Sequence, residues 1–458
     1  MSGSATAPSL RPRSLVDSGP NSFALSEDWR LVATGPGLEA FEGERSTREG
    51  NPLVVGPPSA SNLELLRARL PWLRPRLLGI GLSAGFGDRL GLATPGHIAA
   101  LRSSGRGIAP IFAQQSMREM SRSRRSPQEV MDDATWGVFA ESWRDGFGAD
   151  ADHLKTEADV DACAAAGYTF YTIDPGAHVW PDADTAPQRA VREAFEKLPW
   201  YALEDSPSAL AVRHGMDAEP IQRAAAKLGR AVVQVAFLDR RIRQLRGPDY
   251  ELEVSVDETN TATTPEQHQY FVTELQRLGV RIVSLAPRFP GRFEKGVDFI
   301  GDRDSFEVEF ARHMEIARRL GPYKLSLHSG SDKFSIYPAA ARLSDGLVHL
   351  KTAGTSWLEA LRTIGAVDPE FLAEMYAYGR GQYEADRVSY HVSAEVGTSP
   401  PVADLSHDGC RQILHVTFGT VLERFGDRLL AALRANRELY EATIQSHFER
   451  HLAPFQAK

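Results

Sequence analysis

Three strand-like stretches each carry a histidine among small, acidic or basic residues: "GADADHLKT" at 148–156, "YKLSLHSGSD" at 323–332 and "GLVHLKTAG" at 346–354. Imidazole suits zinc, nickel, manganese, cobalt or iron, and a three-histidine site with an open position is a catalytic divalent-metal pattern. His153, His328 and His349 are the candidate ligands. They would come from distant elements, so spacing alone does not assemble them. Each could instead be a hydrogen-bonded residue of the core.

Carboxylates and cations lie near these histidines. In "YELEVSVDET", alternation puts Glu251, Glu253 and Ser255 on one face and Leu252, Val254 and Val256 on the other. The apolar face packs outward in a barrel, so Glu253 points inward, where a lone charge is costly and a partner is required. Asp257 and Glu258 read equally well as a turn and helix start. Asp152 precedes His153, so both can face one site only where the strand ends and the chain re-aims one of them. Lys155 and Lys351 raise the option of a Schiff-base lysine, which needs burial to lower its pKa. The nearby carboxylates argue for charged lysines that bind substrate together with Arg89. Asp88, Gln115 and Asp174 complete the set of candidate substrate contacts. His97, His268, His313, His447 and His451 lie in helical stretches and read as surface residues, whereas His391 could line the site.

These residues need a scaffold that brings them to one rim. From about residue 70 short apolar runs alternate with helical patterns, the mark of βα units. The strand candidates begin with "RLLGIGLSAGFGD", "GIAPIFAQQS", "GADADHLKT" and "YTFYTIDPGAH". They continue with "YELEVSVDET", "RIVSLAPRF", "YKLSLHSGSD" and "GLVHLKTAG". Thr94 before Pro95 and Ser126 before Pro127 read as helix starts. Eight units in order predict an α/β protein with a (β/α)8 TIM-like barrel, whose active site lies at the C-terminal strand ends. No G-x-G-x-x-G follows a strand, which disfavours a doubly wound dinucleotide fold. The expected organisation is a flexible tail and loop-rich leader over 1–70 and a catalytic barrel over 71–356. A helical insertion interrupts the barrel at about 181–249, and a helical extension over 357–458 packs on it.

Composition narrows the function classes. The 458 residues are 42% apolar and 24% charged, with a net charge of −8, which fits a soluble globular protein and argues against a nucleic-acid surface. Only Cys163 and Cys410 are present, so there is neither a disulfide framework nor a cysteine zinc site, and a reducing cytoplasm is the expected compartment. No apolar run of about 18 residues marks a membrane span, and the first residues lack a secretory signal pattern. The C-terminal helices leave room for a homo-oligomer interface.

The stretches "GFGDRLGLATPGHI", "IFAQQSMRE", "MDDATWGVFAESW", "GADADHLKT", "YTIDPGAHV", "LHSGSDKFSIYP" and "HLKTAGT" resemble the tagaturonate epimerase family from about Leu78 to Thr355. The resemblance implies a barrel enzyme of hexuronate catabolism that interconverts D-tagaturonate and D-fructuronate with one divalent metal ion. It implies His153, His328 and His349 as ligands, Asp152 as proton acceptor and Glu253 as proton donor, with Glu258 as the fallback. The inverted carbon is β to the ketone, and its C–H is not acidic. Inversion therefore needs either transient oxidation or retro-aldol cleavage, rotation and re-addition, and the missing dinucleotide motif favours the second route. A metal-dependent ketose 4-epimerase, isomerase or aldolase on a neutral or phosphorylated sugar is the alternative, and a non-catalytic sugar-acid binding protein is a second.

Overall fold

A computed structural model describes residues 8–214, 218–257, 259–352 and 354–456. Eight parallel strands close into a barrel: β6 (Ser83–Gly85), β7 (Ala109–Ser116), β8 (Gly148–Leu154), β9 (Phe170–Ile173), β10 (Glu251–Ser255), β11 (Ser284–Ala286), β12 (Lys324–Leu327) and β13 (Val348–Lys351). Each falls inside the stretch expected of it, and β13 pairs with β6 to seal the cylinder. The helix starts are only partly as expected. Ser126 forms a capping box with Glu129 at the head of Pro127–Ala140, and Thr156 and Thr264 do the same for Glu157–Ala165 and Pro265–Arg277. Thr94 is not a cap. It is the first residue of Thr94–Ser104, after Ala93, whose N–H donates to Asp88 Oδ2 at 2.7 Å.

The leader is not loop-rich. It forms a five-stranded antiparallel sheet in the order β1-β2-β3-β5-β4, with β1 (Val16–Ser18), β2 (Asn21–Leu25), β3 (Leu31–Thr34), β4 (Glu44–Arg48) and β5 (Asn51–Gly56). Phe23, Leu25, Leu31 and Ala33 are its buried face, and edge strand β4 is exposed along its length and charged. The β4–β5 hairpin turns on Glu49 and Gly50, both at positive φ, which matches the right-handed strand twist. The strands are short and broken by Gly and Pro, so alternation within any one of them is too brief to register as a strand. Residues 1–7 lie outside the described part of the chain.

Gln188–Glu196, Trp200–Leu203, Pro207–His214 and Ala218–Arg246 lie between β9 and β10. Lys227, buried on the long helix, donates to Asp184 at 2.6 Å, Thr261 at 2.9 Å and Gln267 at 3.0 Å, tying the insertion to the β10 loop and the helix after it. At the C-terminus, Thr355–Val367 is the eighth barrel helix, and Pro369–Asp386, Asp408–Val416, Phe418–Ala435 and Arg437–Leu452 follow. The last of these packs on Thr94–Ser104, where a Cβ on Gly96 would lie 2.7 Å from Ile444 and 2.8 Å from the Glu441 carbonyl. His97, His268, His313, His447 and His451 are all buried rather than on the surface: His97 packs against Phe448 of the last helix, His447 and His451 face Asp332 of the β12 loop, and His268 and His313 face each other between two barrel helices. Among the described residues no helix is long and apolar enough to cross a membrane.

The N-terminal mouth of the barrel is closed. Glu251 accepts from the N–H groups of Leu78 and Gly79, and Lys324 donates to the Gly79 carbonyl and Ser83 Oγ, each at 3.0 Å. Residues before β6 therefore plug the bottom instead of extending the strand. Replacing Gly96 with valine wedges two packed helices apart and is expected to cost about 1–3 kcal/mol, read as a lowered midpoint in thermal or urea unfolding.

Candidate active site

Alternation along each strand loads the barrel interior with polar groups. β8 sends Asp150 and Asp152 inward, β10 sends Glu253 and Ser255, and β13 sends His349 and Lys351. The Lys351 ammonium, 3% exposed, lies 2.8 Å from Asp150 Oδ2, 2.6 Å from Asp152 Oδ1 and 2.9 Å from Glu253 Oε1, and it donates to Thr172 Oγ1 at 2.7 Å. Burial alone would lower its pKa. The three carboxylates outweigh burial and raise it, so Lys351 is locked as a cation and is no Schiff-base nucleophile. Burial would likewise raise Asp152 and Glu253, but Lys351, aided by His328, holds both carboxyls below the usual range. Burial pushes Asp150 up to about 7.

The two rim histidines meet here. His328 Nε2 donates to Glu253 Oε1 at 2.7 Å, and its Nδ1 lies 3.3 Å from Ser255 Oγ and 3.4 Å from Asp257 Oδ1. Burial works against charge on this ring, and Asp257 and Glu253 overcome it, so its pKa is raised. The His153 ring packs edge-on at 5.1 Å from His328, with Nδ1 3.3 Å from Asp174 Oδ2 and Nε2 3.8 Å from Asp152 Oδ1. His153 has φ +55°, and the β8–β9 register shifts between Ala151 and Leu154. This bulge turns His153 to the same side as Asp152, which a regular strand forbids. Ligand atoms of Asp152, His153 and His328 all lie within 4.8 Å of one another.

His349 is not part of that group. It sits two residues before Lys351, level with Ser326 and Ser83, and Ser83 Oγ lies 2.9 Å from its Nδ1. Burial holds it neutral, with a pKa lowered to about 3. Inward direction was legible; height was not, because strand stagger decides it.

The expected substrate contacts divide in the same way. Asp174 stands beside His153 and pairs with Lys155 at 3.0 Å, and Lys351 is at the centre. Asp88 is instead a loop brace, accepting from Leu90 and Gly91 at 2.9 Å. Arg89, 1% exposed in its side chain, is consumed by Glu119 at 2.5 Å, His415 Nε2 at 3.1 Å and the face of Phe418 at 3.7 Å. It ties the loop after β6 to the C-terminal helices. Gln115 accepts from Arg125 at 3.2 Å on the outer side of β7, while Gln114 faces inward and donates to Asp152 Oδ2 at 3.4 Å. Glu258 lies outside the described residues. Asp257, read equally as a turn residue, belongs to the site. Asp150 and Thr172 were missed and Gln114 was passed over for Gln115, although the alternation that placed Glu253 applies to each.

Two cavities flank the histidine pair. One, of about 210 Å³, touches His328, Asp257, Arg118 and Tyr390. The other, of about 190 Å³, touches His153, Asp174, Lys155 and Arg118. A second buried group, Asp332, His447 and His451, has the same donor types. It is already satisfied: Arg411 pairs with Asp332 at 3.1 Å, and the Asp332 N–H donates to His451 Nε2 at 2.9 Å. It fastens the β12 loop to the last helix.

Lys351→Met removes the one cation that, among the described residues, Asp150, Asp152 and Glu253 share. Burial then raises their pKa above the unfolded values of roughly 4, so the folded state binds protons more tightly and stability is lost as pH rises through the raised values. The expected loss is about 3–5 kcal/mol at about pH 8, partly regained at about pH 5, as measured by urea unfolding at both.

Over most of its length the chain is similar to proteins of one family. A tagaturonate epimerase family model matches residues 32–455. The chain is 42% identical over 433 residues to the tagaturonate/fructuronate epimerase of Thermotoga maritima, covering 91% of this chain and 89% of that protein. The native crystal structure of fructuronate-tagaturonate epimerase UxaE from Cohnella laeviribosi superposes with a TM-score of 0.91 at 34% identity, covering 97% of this chain and 96% of the other. A glycerol-complexed structure of that enzyme also gives 0.91, at 33% identity and covering 98% and 96%. The chain belongs to the tagaturonate epimerase family and is a sugar-acid epimerase of the isomerase class.

Proposed function

We propose that the protein interconverts D-tagaturonate and D-fructuronate by cleaving and remaking the bond between the ketone's α and β carbons. The observation that carries this reading is the pairing of Asp152 and Glu253 on one ammonium, Lys351, beside His153 and His328. Two ionised carboxylates and a fixed cation can take up and return a hydroxyl proton without water. Asp152 accepts the proton of the β-hydroxyl, and the α–β bond electrons move toward the ketone oxygen. The β carbon becomes an aldehyde, turns its other face, and is attacked again. On re-addition the proton held by Asp152 returns through the Lys351 ammonium that it shares with Glu253, and Glu253 delivers it to the new alkoxide from the opposite side.

The residues present fit a divalent cation. Asp150, Asp152, Asp174, Glu253 and Asp257 converge against Lys351 and Lys155, an excess of negative charge, and Glu253 Oε2 is buried without a hydrogen bond among the described residues. His153 and His328 would hold the ion as neutral imidazoles, His328 giving up the proton that Asp257 and Glu253 otherwise keep on it, and His349 would take no part. When bound, such an ion supplies Lewis-acid stabilisation of oxygen charge. Its identity among zinc, nickel, manganese, cobalt and iron is set by availability as much as by these ligands.

The direct test is NMR of D-tagaturonate with the purified protein, before and after chelation. Conversion to D-fructuronate that stops on chelation and resumes with metal is expected, and no conversion with metal present refutes the reading. In deuterium oxide the β position should keep its hydrogen; label there would mean direct proton abstraction, and label at the α position would indicate isomerase chemistry. Asp152→Asn and Glu253→Gln are each expected to lower kcat by about 10²–10⁴ while metal content is retained. Loss of metal from Asp152→Asn would make it a ligand instead of the base. His349→Gln should keep its metal, whereas His153→Asn should not.

A further inference from the structure

Lys333 is a buried cation that the proposed chemistry does not use. It ends the stretch "HSGSDK" after β12, its side chain is withdrawn from water, and its ammonium donates to three backbone carbonyls: Glu294 at 2.8 Å, Val297 at 2.5 Å and Ser331 at 3.0 Å. Three N–H bonds thus meet three acceptors, and none of these acceptors is a carboxylate. Burial lowers the pKa to about 8 and Asp332 partly offsets it, so the group is charged at neutral pH. A cation buried against dipoles alone is costly to hold, and an apolar side chain would fill the same volume without that cost.

The three carbonyls come from two loops that both line the cavity of about 210 Å³. Ser331 belongs to the β12 loop, which gives His328 and Ser329 to the wall, and Glu294 and Val297 belong to the β11 loop, which gives Phe289, Phe293 and Glu294 itself. Glu294 reaches a third segment as well. Its carboxylate accepts from the Ser393 N–H at 2.8 Å, Ser393 Oγ at 2.7 Å and Gln412 at 2.8 Å, and Ser393 follows Tyr390 and His391 of the same wall. The β12 loop needs such ties: Ser329 has φ +47° and Asp332 φ +62°, a region that side chains other than glycine resist. The Lys333 N–H also donates to the Tyr337 hydroxyl at 3.2 Å, and that hydroxyl donates to the Gly330 carbonyl.

A ring of backbone carbonyls is also how a protein takes up a potassium or ammonium ion. We propose that the carbonyls of Glu294, Val297 and Ser331 form a monovalent-cation cradle filled by the chain's own Lys333 ammonium, which makes Lys333 the positioning residue for the cavity beside His328. This rests on the activity proposed above and adds the group that sets the shape of the site. With the ammonium in place, the three wall segments are held as one unit. Without it the carbonyl dipoles aim at one point and repel one another, the β11 and β12 loops part, and His328 loses its setting against Glu253 and Asp257.

The test uses the metal-loaded full-length protein with Lys333→Met, which keeps the side chain's length and loses its ammonium, and separately with Lys333→Ala. KM for D-tagaturonate is expected to rise roughly ten- to hundred-fold in both, with a smaller fall in kcat and unchanged metal content. The atoms missing from Lys333→Ala are those of n-propylammonium. Ammonium and n-propylammonium chloride should therefore lower its KM and raise its thermal midpoint, whereas tetramethylammonium chloride at equal ionic strength, too large for the cradle and without an N–H, should do neither. The unaltered protein should respond to none of the three. A KM for Lys333→Met within about two-fold of the unaltered protein's overturns the positioning role. Recovery of Lys333→Ala by no cation, or equally by tetramethylammonium, overturns the cradle. If Lys333→Ala is recovered unfolded, its refolding yield in ammonium against tetramethylammonium gives the same reading. Failure of the unaltered protein to convert D-tagaturonate would overturn the activity and not the cradle, which the thermal midpoints then decide alone.

Discussion

Lys351 places one ammonium in contact with Asp150, Asp152 and Glu253 together, and each of these groups is almost completely withdrawn from water. Burying any one of the carboxylates alone would cost several kcal/mol, and burying the lysine alone as much. Together, with Thr172 accepting from the ammonium, they fix one another's charge and position. The remaining groups are arranged around this cluster. Glu253 orients His328, Asp152 lies beside His153, and Gln114 holds the second Asp152 oxygen.

Around that centre the fold adds what a plain barrel lacks. The bulge at His153 brings two neighbouring residues of one strand to one side. The loop after β12 is fastened by Asp332 to His447, His451 and Arg411 of the C-terminal helices. Lys333, buried there with its pKa lowered by burial to about 8, donates to the carbonyls of Glu294 at 2.8 Å, Val297 at 2.5 Å and Ser331 at 3.0 Å. The cavity wall bearing Lys295 is thereby clamped to the strand that carries His328. The extension after residue 367 reaches the cavity beside His328 through Tyr390, and its His415 holds Arg89.

Much of this was legible in the chain. All eight barrel strands, the helical insertion and the inward Glu253 follow from periodicity, and so does the candidacy of His153 and His328. The failures are instructive. Five short strands at the N-terminus were read as loop, because three to six residues broken by Gly and Pro carry too little alternation. Gln115 was chosen over Gln114, although one step of alternation separates them. Arg89 looked like a rim cation, but a guanidinium stacked on Phe418 and paired with Glu119 serves packing.

The sequence by itself determined the architecture, the face of each strand on which the charged residues lie, and membership of the family. Those depend on local periodicity and on long motifs, both of which can be read along one dimension. Tertiary structure alone decided which inward groups share a height. Closing the barrel staggers the strands, so Lys351 rises to the level of Asp152 and Glu253 while His349, two residues earlier, stays below beside Ser83. It also decided which cations are consumed by packing, since that depends on partners hundreds of residues away, as with Arg89 and His415.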